Sequence, residues 1–305
     1  MASQAMSMNR GGRSRRWTGG TNPWFYVTPA VVIVSLLTIA PLLYGLYLSF
    51  TNWSILDSAT PSLEGVTAYR RVLENPEFWA NLGRTLVWTI GTVIIEVVIA
   101  VPLAMLLNVR TPVTGFVTGA IMIPWITPFV VLSYAWLYLY DGQSGPLHAL
   151  LETVGLVGAS SPLADPRTSL LAITLISGWK GVPFLTIALL AARKGITDDV
   201  YEAAALDGAG RFRSFFGVTL PLLTPTLGAM CVVLGVQAFY SFDLVWILTQ
   251  GGPGSSSTIL GVQLFQTFFT RASPGEAAAL GTVMLVLMVV CVVPILRISS
   301  RRINR

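Results

Sequence analysis

The sequence predicts an all-α integral membrane protein of six spans, from its composition, its hydropathy pattern and the placement of its basic residues. Over 305 residues it is 53% hydrophobic and only 11% charged, with a mean hydropathy of +0.69. Soluble domains carry roughly a quarter charged residues, so polar surface here is too scarce to cover so apolar a core. That excludes an ordinary cytosolic enzyme, a disordered chain and a secreted disulfide scaffold. The net charge of +5 and a pI near 9.5 do not mark a nucleic-acid binder, because the basic residues flank apolar runs instead of forming a stripe. Cys231 and Cys291 fall inside apolar runs without metal-ligand spacing and read as packed thiols. His148 reads as solvated in a polar connection, so no metal site and no catalytic residue is expected.

Six runs are long enough to cross a bilayer, which needs about 20 apolar residues per helix. They are 25–48, 85–107, 113–140, 170–192, 222–248 and 277–296. The period-two alternation of a barrel is absent. Pro102, Pro124, Pro128, Pro183 and Pro294 lie inside these runs, where neighbouring helices can satisfy the carbonyls they free, so they read as kinks. With both termini in the cytoplasm, 13 of the 19 Lys and Arg fall inside, in 1–22, at Arg110, in 193–221 and after the last run. The positive-inside rule therefore places both ends in the cytoplasm. The basic start followed by an apolar run resembles a signal peptide, but the run is about twice a typical h-region, so it reads as a retained anchor. The expected organisation is a basic tail over 1–22, a six-span body over 23–298 and a cytoplasmic tail over 299–305.

Three connections are long. The outer loop 51–84 reads as a short surface helix followed by a second one begun by Asn75-Pro76-Glu77, since proline suits the first helical turn. The outer loop 141–169, rich in Gly, Pro and Ser, reads as irregular. The inner loop 193–221 opens a helix at Asp198 and Asp199, with acids at its positive end. Asp207-Gly208 then supplies turn chemistry, and Phe212, Phe215 and Phe216 begin a second helix before Leu220-Pro221. The small residues Ala203 to Ala205 could press into a partner's groove, or the hairpin could lie on the membrane surface.

Within that loop Glu202-Ala203-Ala204, three residues, Gly208, nine residues and Val218-Thr219-Leu220-Pro221 resemble the EAA loop of ABC-importer permeases. The family pattern has Ile where this chain has Val218, and otherwise the spacing matches. Tyr69 to Leu73 with Pro76 to Trp79, Leu248 to Pro253 with Thr258, and Gly275 to Ala279 are similar to carbohydrate-importer permeases, and Glu202 to Gly210 to the maltose-permease version. The resemblance implies the six-helix transmembrane domain of a type I ABC importer, of the maltose or glycerophosphate kind, in the cytoplasmic membrane. It implies a non-catalytic subunit that translocates a sugar or related solute. The implied partners are a second homologous permease, a dimer of ATPase subunits that hold ATP and magnesium, an extracytoplasmic solute-binding protein and membrane lipid, with no nucleic acid. Consistently, no G-x-x-x-x-G-K-[ST] phosphate cradle occurs, and no cofactor belongs to this chain.

The same resemblance makes Glu202, Ala203, Ala204, Asp207 and Gly208 the ATPase-coupling residues. Lys180-Gly181-Val182-Pro183-Phe184 and Pro124-Trp125-Ile126-Thr127-Pro128 match the family's cavity segments. Helical spacing aligns Gln237, Tyr240, Ser241 and Leu244 along the fifth run, with Asp243 beside them, as pore lining or as interhelical glue. The substrate-path candidates are thus Trp125, Lys180, Gly181, Phe184, Gln237, Tyr240, Ser241 and Asp243. Aromatic rings suit the C–H faces of a sugar and the polar groups suit its hydroxyls. Lys180 and Glu96 each lie roughly 17 Å from the outer ends of their helices. An unpaired charge there costs about 3 kcal/mol, so both should face the bundle interior, as an ion pair or as solute contacts. The alternative class is an ion-coupled secondary transporter using Glu96, Lys180 or Asp243 as a proton relay. Against it, no inverted internal repeat is found and the docking loop would have no purpose. A membrane-embedded hydrolase lacks its paired acid and base.

Overall fold

The computed structural model describes residues 23–56, 60–109 and 111–303. The basic tail over 1–22 and Arg110 lie outside them. Helix α1 (Pro23–Leu48) carries no charge in its 26 residues and exposes most of its apolar side chains, which suits a lipid-facing span. The chain divides into two units after Gly45, and everything below concerns the second unit.

Asn52 to Thr67 leads into α2 (Thr67–Glu74), which buries Ala68 and Val72 on one face. Asn75 then caps α3 (Pro76–Leu107): its Oδ1 accepts from the Glu77 N–H at 2.9 Å, and Pro76 takes the first helical position. The second surface helix and the second span are therefore one helix of 32 residues, about 48 Å long. That is longer than the roughly 30 Å hydrocarbon layer a span has to cross.

The third run is not one helix. It forms α4 (Thr114–Ile121), α5 (Ile123–Ile126) and α6 (Phe129–Leu139), with a bend of 94° at Thr127-Pro128. Pro128 has no N–H to continue the ladder and pushes Thr127 to an extended ψ of 129°, so it breaks the helix where a kink was expected. Pro102 and Pro183 remain inside continuous helices. The loop 141–169 is more ordered than its composition suggests. It holds α7 (Pro146–Thr153), and His148 is buried there instead of solvated.

Helix α8 (Ser169–Lys194) is the most buried span and packs along α3. Glycines set their separation: a Cβ at Gly178 would lie 2.6 Å from Ile95 Cγ2, and one at Gly91 would lie 2.9 Å from Thr174 Cγ2. Small residues at the crossing let two backbones approach closely where no hydrophobic force drives them together. After α8 come α9 (Asp198–Leu206), α10 (Arg211–Ser214) and a π-helical turn, Phe215–Thr219, that feeds directly into α11 (Leu220–Phe239).

The fifth span was expected to continue to Leu248, but α11 stops at Phe239. Tyr240 to Phe242 leave helical geometry, and α12 (Asp243–Thr249) restarts with Asp243 in its first turn, where an acid favours a helix start. Trp88, fully buried on α3, donates its indole N–H to Ala238 O at 2.9 Å and ties α3 to the end of α11. Helix α13 (Leu260–Phe265), a π turn (Gln266–Thr270) and α14 (Pro274–Ile303) follow. Thr85 Oγ1 accepts from the Leu260 N–H at 2.9 Å, so α3 supplies the cap of α13. Cys231 is half-buried, whereas Cys291 is exposed on α14 and is not a packed thiol. The six-run reading survives as an all-α bundle whose third and fifth runs are interrupted.

Because Gly178 meets Ile95 on a crossing without slack, Gly178→Leu should overpack it, at a cost of about 1–3 kcal/mol. A lower unfolding temperature of the purified protein in detergent is the expected readout.

Candidate functional site

The interruption of the third run creates a chemical problem in an apolar setting. The last carbonyls of α5 lose their helical partners, and each one left unpaired costs about 1–3 kcal/mol. Lys180, buried midway along α8, answers it. Its ammonium donates to Pro124 O at 2.9 Å, Thr127 O at 2.8 Å and Trp125 O at 3.3 Å. It also sits 4.5 Å from the centre of the Phe129 ring, the first residue of α6. A cation at a helix C-terminus is favoured by the helix dipole as well. All three ammonium donors are thereby occupied within the chain.

Lys180 does not pair with Glu96: the two are not within ion-pair distance, although both line the same cavity. That cavity, of about 210 Å³, lies among α3, the α5–α6 break, α8 and the end of α11. Trp125 and Phe184 stack beside it with ring centres 5.5 Å apart and planes only 4° from parallel. Gln237 and Ser241 contribute polar groups from the other wall. From α3, Thr92 and Glu96 line this space, and their Oγ1 and Oε2 atoms are buried without a hydrogen-bond partner. Gly181 completes the wall, since a Cβ there would collide with the Glu96 carboxylate.

Six of the predicted path residues thus meet around one cavity: Trp125, Lys180, Gly181, Phe184, Gln237 and Ser241. Tyr240 and Asp243 do not join them. Tyr240 packs edge-on against Phe239 at 5.4 Å and lines a separate, apolar hollow of about 450 Å³ with Phe242 and Phe265. Asp243 is exposed at the start of α12. The break after Phe239 removes the helical register that aligned them. Sequence reasoning missed Thr92, Ser177 and Phe129 as cavity residues. Thr92 lies four residues before Glu96 on α3, so helical spacing alone carried a signal for it.

The α9–α10 hairpin forms the second candidate site. Helix α9 begins with Asp198 and Asp199 and ends in a left-handed turn at Gly208, with φ of 75°. The Gly208 N–H donates to Ala205 O at 3.0 Å and the Ala209 N–H to Ala204 O at 2.9 Å, the paired bonds of a Schellman motif. Glu202, Ala203, Asp207 and Gly208 are exposed and Ala204 is half-buried. Leu206 and Phe212 flank the turn at 90% and 84% exposure, so the tip presents apolar side chains that nothing among the described residues covers. Such a surface fits a partner.

Residues 96–305 match the family described as the binding-protein-dependent transport system inner membrane component. The trehalose/maltose transport system permease protein MalF of Thermococcus litoralis is 28% identical, over 92% of this chain and 94% of its own. The sulfoquinovosyl glycerol transport system permease protein SmoG of Agrobacterium fabrum is 30% identical, over 89% of this chain and 88% of its own. A chain of a bacterial ABC transporter involved in the import of the acidic polysaccharide alginate superposes with a TM-score of 0.78, covering 92% of this chain and 96% of that one. At 20% sequence identity this last likeness shows a shared fold.

Lys180→Met would strip the α5 carbonyls of their donors and leave the break open. A loss of about 2–4 kcal/mol is expected, measured as faster amide exchange over 123–129 and a lower unfolding temperature.

Proposed function

The chain belongs to the binding-protein-dependent transport system inner membrane component family, as a multi-pass permease subunit of an ABC importer, and we propose that it carries a neutral, hydroxyl-rich solute of the sugar class. The cavity carries this reading. Its stacked Trp125–Phe184 pair offers a flat aromatic surface to the C–H face of a sugar ring, and Thr92, Glu96, Gln237 and Ser241 offer partners to hydroxyls. Lys180 lines the cavity but has no donor left, so among the described residues its wall holds no free cation for a phosphate or carboxylate. The trehalose/maltose relative supports the same solute class.

Transport would run by alternating access, with the cavity opened to each side in turn. A dimer of ATPase subunits, holding ATP and magnesium, docks on the α9–α10 hairpin through Glu202, Ala203, Ala204, Asp207 and Gly208. The alanines permit close approach, and Glu202 offers a charge to a basic residue of the cleft. A second, homologous permease faces the cavity across the bundle, and a solute-binding protein delivers solute on the opposite side. Both termini and the hairpin then lie in the cytoplasm, the side that the distribution of basic residues favours. This chain performs no catalysis. The relatives named above are ABC-type or solute-named permeases, and none supports an ion-coupled carrier.

In membrane vesicles, uptake of labelled trehalose or maltose should require ATP trapped inside and survive a protonophore. Collapse under the protonophore with ATP present would favour the ion-coupled alternative. Glu202→Lys and Gly208→Pro should each cut uptake below about a tenth while leaving insertion normal. The first inverts the docking charge; the second forces a negative φ on a residue that stands at 75°. Normal uptake by both would remove the coupling role.

A further inference from the structure

Docking alone does not move a cavity; the hairpin has to be fastened to the helices that wall it. We infer that Tyr201 is that fastening, a positioning residue joining α9 to the near ends of both α8 and α11. Its ring lies under the Arg193 guanidinium, 4.0 Å away, in the last turn of α8. Its hydroxyl shares a hydrogen bond of 3.1 Å with Thr219 Oγ1, which is buried in the π turn leading into α11. Among the described residues no other α9 side chain makes a hydrogen bond or ion pair with the rest of the chain, and none is buried. The second arm, α10, runs on through the π turn into α11, so it is α9 that this one side chain bridges to two spans at once.

Those spans are the ones that matter for the solute path. Helix α8 carries Lys180 and Phe184, and α11 carries Gln237. Arg193 stands about 20 Å along α8 from Lys180, a distance an unbroken helix transmits with little give. A displacement of α9 would pull on Arg193 and Thr219 together and shift the two walls as a pair. The π turn holding Thr219 widens the helix by one residue, and such turns concentrate at working positions. With Tyr201 removed, α9 would keep its docking face but swing on Gly195 to Thr197 and on the Gly208 turn.

This inference rests on the docking role proposed above, and its test separates the two. The transporter is assembled with its partner permease and ATPase subunits in lipid nanodiscs. In this chain Cys231→Ala and Cys291→Ala remove the native thiols and Gln237→Cys places one on the cavity wall. The rate at which N-ethylmaleimide labels that thiol is followed with and without a non-hydrolysable ATP analogue, alongside ATPase co-purification. With Tyr201 intact the nucleotide should change the rate about fivefold or more. Tyr201→Ala should reduce the response to within about twofold while the ATPase subunits still co-purify. Tyr201→Phe keeps the ring under Arg193, loses the bond to Thr219, and should fall between them. A full response in Tyr201→Ala overturns the inference, and so does loss of the ATPase subunits from that variant, which would make Tyr201 a docking contact. Failure of the docking role looks different: no response with Tyr201 intact, and ATPase subunits retained by Glu202→Lys. The fastening would then fall with it.

Discussion

One ammonium group holds the site together. Lys180 and the broken third run are each unfavourable alone in an apolar bundle: the first is a charge without water, the second a set of carbonyls without donors. Joined, they satisfy each other through bonds of 2.8 to 3.3 Å. The sharp turn at Thr127-Pro128 then brings Trp125 alongside Phe184 and leaves a hollow where a straight helix would have packed. The cavity, its aromatic surface and its lack of an available cation all follow from that single arrangement.

The rest of the bundle keeps this arrangement in place by close packing of small residues against large ones. Gly91 and Gly178 bring α3 and α8 together, while Trp88 fills the space between α3 and α11 and satisfies its indole on Ala238. The ion pairs among the described residues are confined to exposed positions such as Arg271 with Glu77, where they add little to stability. Buried polar groups outside the cavity tie elements together, as Asn81 Nδ2 does by donating to Gln263 Oε1 at 3.0 Å between α3 and α13.

Much of this was legible in the residues. The apolar runs marked the spans, Asn75-Pro76-Glu77 marked a helix start, and Asp207-Gly208 marked the turn that the backbone makes with a positive φ. Trp125, Lys180, Gly181 and Phe184 were named from local motifs and Gln237 and Ser241 from helical spacing, and these six line one cavity. What hydropathy could not show was where an apolar run stops being one helix. Pro128 and Pro183 read alike in the sequence, yet one breaks and the other does not, because Lys180 stands ready to take the carbonyls freed at Pro128. The fifth run failed for a related reason. Nothing in its hydropathy signals that Tyr240 to Phe242 leave the helix, so Tyr240 and Asp243 were aligned with Gln237 on a helix that ends before them. Glu96 and Lys180, placed at similar depth from the sequence, line one cavity, but depth does not say which partner a charge will choose.

The bare backbone at Gly181 lets the Glu96 carboxylate lie flat against α8, with Cγ and Cδ at 3.1 and 2.6 Å from where a Cβ would stand. A methyl at 181 would push this acid out of its resting place, and its flexible stem would have to turn the carboxylate elsewhere. A single hydrogen in place of a side chain on one helix thus decides the posture of an acid on its neighbour.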